Sequence, residues 1–159
     1  MTDGYNRLHR HIETVRNYIG ACIRELMARQ EQHDQSKLEE PELSAYLSMA
    51  HIRNLPYRSA EYESELKKID YALKHHYSKN SDHPEFHQRG FRDMTLIDLV
   101  ELLADWKSAT LRTPETSDIL KSIEINQERY GYGEELKDVL INTAKWLNEQ
   151  KVFHKADES

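Results

Sequence analysis

Apolar side chains recur at spacings of three and four over residues 3–28. Leu8, Ile12, Val15, Ile19, Ile23 and Leu26 form one continuous stripe, which predicts a long amphipathic helix. Ser36 and Glu39 have capping-box spacing for a second helix, with Pro41 in its first turn and Leu43, Tyr46, Leu47 and Ala50 as its apolar face. Asn54-Leu55-Pro56 reads as a turn. Ser59 opens a helix running to about Tyr77, with Tyr62, Leu66, Ile69, Leu73 and His76 on one face. Thr95 and Asp98 again have capping-box spacing, for a helix over 95–110 that turns Leu96, Leu99, Val100 and Leu103 inward. A helix over 115–129 turns Ile119, Ile123 and Ile125 inward and stops at Gly131-Tyr132-Gly133. The last helix, about 134–150, carries Leu136, Val139, Leu140, Thr143, Trp146 and Leu147 on one side. The pattern predicts an all-α chain of about six helices, one domain over 1–152, with a frayed tail at 153–159.

Wheel geometry sorts the polar residues. At 100° per residue His11 lies at the edge of the first stripe, beside Val15 and Cys22, whereas His9 faces solvent. His76 takes an apolar position on its helix and His75 points away. Asp105 falls near Asp98 and Glu101, off the apolar face of its helix. Between these helices, residues 78–93 form a breaker-rich loop holding His83, Glu85 and His87.

Composition narrows the setting. The 159 residues include five glycines and four prolines, few enough to leave long helices uninterrupted. A single cysteine, Cys22, excludes a disulfide framework or a cysteine zinc site within one chain and fits a reducing, cytoplasmic setting. No apolar run reaches membrane-spanning or signal-peptide form. The net charge of −6 argues against general nucleic-acid binding. Nine histidines direct attention to metal and proton chemistry.

The chemistry centres on His33-Asp34-Gln35-Ser36-Lys37. Adjacent imidazole and carboxylate can bind one divalent cation, and Lys37 stands where a metal-bound anion would need a positive charge. Each of these residues also has an ordinary reading. Asp34 or Ser36 can cap a helix, His11 can be a hydrogen-bonded boundary residue, His76 a satisfied core residue, and the 78–93 loop a solvated connection.

The order His11 … His33-Asp34 … Asp105 resembles the HD superfamily of metal-dependent phosphohydrolases. His33-Asp34-Gln35-Ser36-Lys37 is similar to that family's His-Asp-x-Gly-Lys form, with Ser36 in place of glycine. The run His75-His76-Tyr77 to Asp82-His83-Pro84 resembles the His-His-Glu … Gly-Tyr-Pro segment of the HD-GYP branch, with Tyr77 where a second-metal glutamate would stand. Asp105-Trp106-Lys107 to Arg112-Thr113-Pro114 resembles that branch's Asp-x-x-Asp-Ala-x-Thr-x-x-Arg-Pro run. The chain is also similar to small uncharacterised proteins, many of them phage-encoded.

The resemblance implies an HD-like helical bundle in which His11, His33, Asp34 and Asp105 hold a divalent metal (Mn, Fe, Co or Mg) that activates water against a nucleotide or related phosphate ester. Lys37 and Arg112 would clamp phosphate. His76 and His83 would bind a second metal, touch substrate or protonate the leaving group, with Glu85 and Asp98 as weaker candidates for proton transfer. The partners expected are a small nucleotide or phosphate ester and a homo-oligomer, with no membrane. The alternative is a noncatalytic HD-like protein that binds a nucleotide or a protein partner, such as a phage counter-defence protein.

Overall fold

The computed structural model describes residues 2–55, 59–111 and 118–150. Among them are seven α-helices and no strand, so the chain is all-α. The helices are α1 (Thr2–Gln32), α2 (Glu42–Ser48), α3 (Ala60–Lys68), α4 (Asp70–Lys79), α5 (Leu96–Ala109), α6 (Ile119–Tyr130) and α7 (Glu134–Glu149). Short 3-10 turns punctuate the connections, at Gln35–Leu38, Ala50–Asn54, Pro84–Phe86 and Gly90–Arg92. No helix among the described residues is long and apolar enough to cross a membrane. The chain divides into two compact units, Met1–Glu101 and Leu102–Ser159.

In the first unit the helix expected over 3–28 runs on to Gln32. It ends because Asp34 takes the left-handed conformation, φ 59° and ψ 11°, which aspartate tolerates better than most L-residues. Ser36 does not cap α2. Its hydroxyl donates to Glu42 Oε2 at 3.1 Å instead, and α2 begins only after Pro41. The inward face of α2 is Glu42, Ala45 and Met49, not the one centred on Leu43 and Leu47; Leu47 is exposed. Ala45 and Met49 pack on Ile69 and Ala72, with Tyr46, Ile52, Leu66 and Leu73 at the margin.

The helix expected from Ser59 to Tyr77 is two. Ser59 caps α3 by accepting from the Tyr62 N–H at 3.1 Å, and the backbone leaves helical geometry at Ile69 before α4 starts. Leu66, Ile69 and Leu73 stay inward across the break, so the apolar period reads straight through it. The capping box at the head of α5 is present as expected: the Thr95 N–H donates to Asp98 Oδ2 at 2.7 Å and the Asp98 N–H to Thr95 Oγ1 at 3.2 Å. The inner face of α5 differs, however, because Leu96 and Val100 are exposed.

The second unit begins within α5, where Leu102 and Leu103 are buried. Asp118 caps α6 by accepting from the Leu120 N–H at 2.9 Å, and Gly131 closes it in the left-handed conformation, φ 68°. α6 and α7 pack together through Ile119, Ile123, Leu140 and Ala144. Tyr132 is buried and donates its hydroxyl to the Ile123 carbonyl at 2.5 Å. Burial pushes that phenol above the usual tyrosine range. Val139 and Trp146, expected inward, are exposed.

Candidate metal centre

The first unit buries charge in place of a large apolar core. Glu42, His76, Asp82 and Asp98 are all less than 4% exposed. Such groups are stable inside a protein only when each finds partners, and their partners define the site.

Glu42 is the deepest anchor. Its Oε1 lies 2.7 Å from His75 Nδ1, and its Oε2 lies 2.9 Å from His76 Nδ1. A carboxylate only accepts, so each of these imidazole nitrogens carries the proton. His76 therefore directs its other nitrogen, Nε2, away from Glu42. That atom lies 2.9 Å from His83 Nε2 and 3.5 Å from Asp34 Oδ1. Burial, the Lys37 ammonium and the neighbouring His83 hold the His76 pKa below its ordinary value, against the opposing pull of Asp34 and Glu42. A neutral imidazole is the form that binds a metal.

His33 repeats the construction. Its Nδ1 lies 3.0 Å from Glu101 Oε1, and its Nε2 faces Asp34 Oδ2 at 3.5 Å. Asp34 thus sits between two imidazoles, each fixed from behind by a carboxylate. Its Oδ2 accepts an ion pair from Lys37, while its Oδ1 is buried and accepts no hydrogen bond. Ligand atoms of Asp34, His76 and His83 all lie within 4.8 Å of one another, as do those of His33, Asp82 and Glu101. Asp82 Oδ2 lies 3.8 Å from His83 Nε2.

Arg29 ties this assembly to α1 and α5. Its Nη1 donates to Asp98 Oδ1 at 2.7 Å, to Glu101 Oε2 at 3.0 Å and to Ser81 Oγ at 3.1 Å. Burial works against the guanidinium charge, but the bonds to Asp98, Glu25 and Glu101 outweigh it and raise its pKa above the usual arginine range. Burial likewise pushes Asp98 and Glu101 upward, and their bonds to Thr95, Arg29, Ser81 and His33 bring both below the ordinary carboxylate range. The loop is held by His87, whose Nε2 donates to the Ser81 carbonyl at 2.7 Å.

His33, Asp34, Lys37, His76 and His83 therefore converge. His11 does not. It is exposed on the same unbroken helix as the approach to His33, 22 residues earlier, which is about 33 Å along the axis at 1.5 Å per residue. The expectation of His11 as a ligand to the ion held by His33 is thereby corrected: a helical wheel gives an angle about the axis, and the distance along the axis is what separates the two residues. Asp105 is half-buried on α5, one turn beyond Glu101 and on the same face, within the second unit. Glu85 is exposed, and Arg112 lies outside the described residues. His75, expected to point away, reaches Glu42. Glu42, Arg29, Asp82 and Glu101 carry the site without having been singled out as candidates. The one available signal was Glu101 in register with Asp98 and Asp105 on a helix whose positions 96–104 are otherwise apolar.

Over residues 1–152 the sequence matches the model of a family described as a family of unknown function, DUF5662. The chain belongs to that family. No curated protein and no solved structure matches it.

Proposed function

We propose that the first unit is a metal-dependent phosphohydrolase acting on a nucleotide or related phosphate ester. The observation that carries the reading is Asp34 Oδ1, a buried carboxylate oxygen that accepts no hydrogen bond and lies 3.5 Å from His76 Nε2. The donor set fits a divalent ion: Asp34, His76 and His83 bring a carboxylate and two imidazoles within 4.8 Å of one another, and His33 adds an imidazole 3.5 Å from Asp34 Oδ2. Glu42 and Glu101 stand behind two of the imidazoles, the arrangement that fixes tautomer and raises ligand basicity at metal sites. An imidazole-rich set favours Fe²⁺, Co²⁺, Mn²⁺ or Zn²⁺ over Mg²⁺. The resemblance of His33-Asp34 and the segments after it to HD phosphohydrolases points the same way.

A divalent ion bound there supplies a lowered pKa for water and a Lewis-acid contact for a phosphoryl oxygen. The chain supplies the rest. Lys37, half-buried and paired with Asp34, offers a point charge beside the site for a phosphate oxygen. Asp82 Oδ2 lies 3.8 Å from His83 Nε2, the same nitrogen that faces His76. Arg29 neutralises Asp98 and Glu101, which keeps Glu101 ionised as the acceptor for His33.

Elemental analysis of the purified protein, followed by phosphate release from nucleoside mono-, di- and triphosphates with Mn²⁺, Fe²⁺ and Co²⁺, tests the reading. The expected result is about one ion or more per chain, lost in His33→Ala and His76→Ala. Lys37→Ala should keep the ion and raise KM for substrate by roughly tenfold, the scale of one lost charge contact at about 1.4 kcal/mol. A wild-type protein that holds no metal and cannot be reconstituted overturns it. The noncatalytic alternative rests on Lys37 already occupying Asp34 and on Tyr77 standing in for a glutamate; full metal content and nucleotide binding with no turnover would select it.

A further inference from the structure

Helix α1 leaves its apolar stripe uncovered. Tyr5, Leu8, Ile12, Val15 and Ile19 are between 41% and 64% exposed, and Tyr18, Ile23 and Met27 beside them exceed 50%. Every described side chain from Asp3 to Ile19 is exposed. Among the described residues, the hydrogen bonds and ion pairs that join α1 and the residue after it to other elements come from Arg29 and His33, at its C-terminal end. A helix this apolar along one side gains most of its stability from packing that side, and a run of large exposed apolar residues marks a docking surface.

The spacing says what kind of surface it is. Tyr5, Leu8, Ile12, Val15, Ile19, Cys22 and Leu26 alternate steps of three and four without exception, the 3.5-residue period of a coiled-coil seam. Charge argues against a lipid surface. The helix carries Arg7, Arg10, Arg16, Arg24 and Arg29 against Asp3, Glu13, Glu25 and Glu31, and three of the arginines pair with acids one turn away. Helices that lie on membranes instead have a strongly basic polar face.

We infer that α1 is a homodimer seam, occupied by the α1 of a second copy of this chain running antiparallel about Asn17. That register stacks Leu8 on Leu26, Ile12 on Cys22 and Val15 on Ile19. It sets His11 beside Glu25 and the two Tyr18 rings against each other at the axis. The two Arg16 side chains also approach there, each already paired with its own Glu13 at 2.6 Å. A parallel pair would bring together the two sets of elements anchored at Arg29 and His33; the antiparallel pair keeps them at opposite ends. The eight exposed side chains named above present roughly 900 Å² per chain, at about 200 Å² for each large side chain when fully exposed. That reaches the area of a standard stable interface, about 800 Å² per partner.

Light scattering or sedimentation on the wild-type chain is expected to give twice 18.8 kDa at concentrations on the order of 100 µM, and the double variant Ile12→Asp, Ile19→Asp to give a monomer. Cys22, exposed in the single chain, should be alkylated roughly tenfold more slowly in the dimer than in the variant. If the variant fails to fold by circular dichroism, dilution of the wild type gives the same readout, with alkylation accelerating as the dimer dissociates. A wild-type monomer at that concentration overturns the inference, including one that co-sediments with anionic vesicles. Rapid quantitative Cys22–Cys22 crosslinking overturns the antiparallel register.

Discussion

Glu42 shows how much one residue can decide. It is fully buried yet takes bonds from His75, His76 and Ser36. Glu42→Ala would leave those donors without an acceptor in the interior and should cost about 3 kcal/mol, measured as a lower urea midpoint. The gentler Glu42→Gln should keep the fold and weaken metal binding by roughly 10- to 100-fold, because the amide no longer fixes the His76 tautomer as strongly. Arg29 is the second such residue. Arg29→Ala would remove the cation that Asp98 and Glu101 share, leaving them only Thr95, Ser81 and His33, and should also cost about 3 kcal/mol. Asp98 makes the fold acid-sensitive. Its folded pKa lies below the unfolded value of about 3.9, so the stability from its ionised form is present above that value and is lost as pH falls through the folded pKa. Asp98→Asn should flatten the acid limb of a stability–pH curve while lowering stability at neutral pH.

At the scale of elements, caps and breaks were legible where a side chain bonds its own helix end. Ser59, the Thr95–Asp98 box and Gly131 all do what their types and positions suggest. Replacing Gly131 by alanine at φ 68° should cost about 1 kcal/mol in thermal or urea unfolding, and Ser59→Ala a similar amount. Ser36 misled because its hydroxyl had a stronger use: a buried carboxylate six residues on competes better for it than an exposed helix end. The faces of α2 and α5 were rotated from the expected ones for a related reason. Glu42 and Asp98 turn inward to meet histidine and arginine, and the apolar neighbours that hydrophobicity alone would bury are left outside.

For the whole molecule, ligand binding should be visible as stability. If the centre binds Co²⁺ only when folded, the metal at about a thousand times its dissociation constant should add about 4 kcal/mol to the unfolding free energy, and a chelator should remove it. The same titration on Asp34→Asn should show no such gain. With the α1 seam paired, the unfolding temperature should also rise with protein concentration, since dissociation and unfolding would be linked. The Ile12→Asp, Ile19→Asp variant should lose that dependence and keep the response to cobalt.

The all-α class, most helix boundaries, the His33-Asp34-Lys37 cluster and the inward position of His76 follow from local chemistry. Hydrophobic period, caps and residue types are properties of neighbouring positions, and the linear order carries them. Which carboxylate backs which imidazole is not such a property. Glu42 and His76 are 34 residues apart and His33 and Glu101 are 68 apart, and nothing in either neighbourhood announces the other. The same holds for His11, which an unbroken α1 carries about 33 Å from the site. Period determines the side of a helix; only the path of the folded backbone determines the distance between its ends.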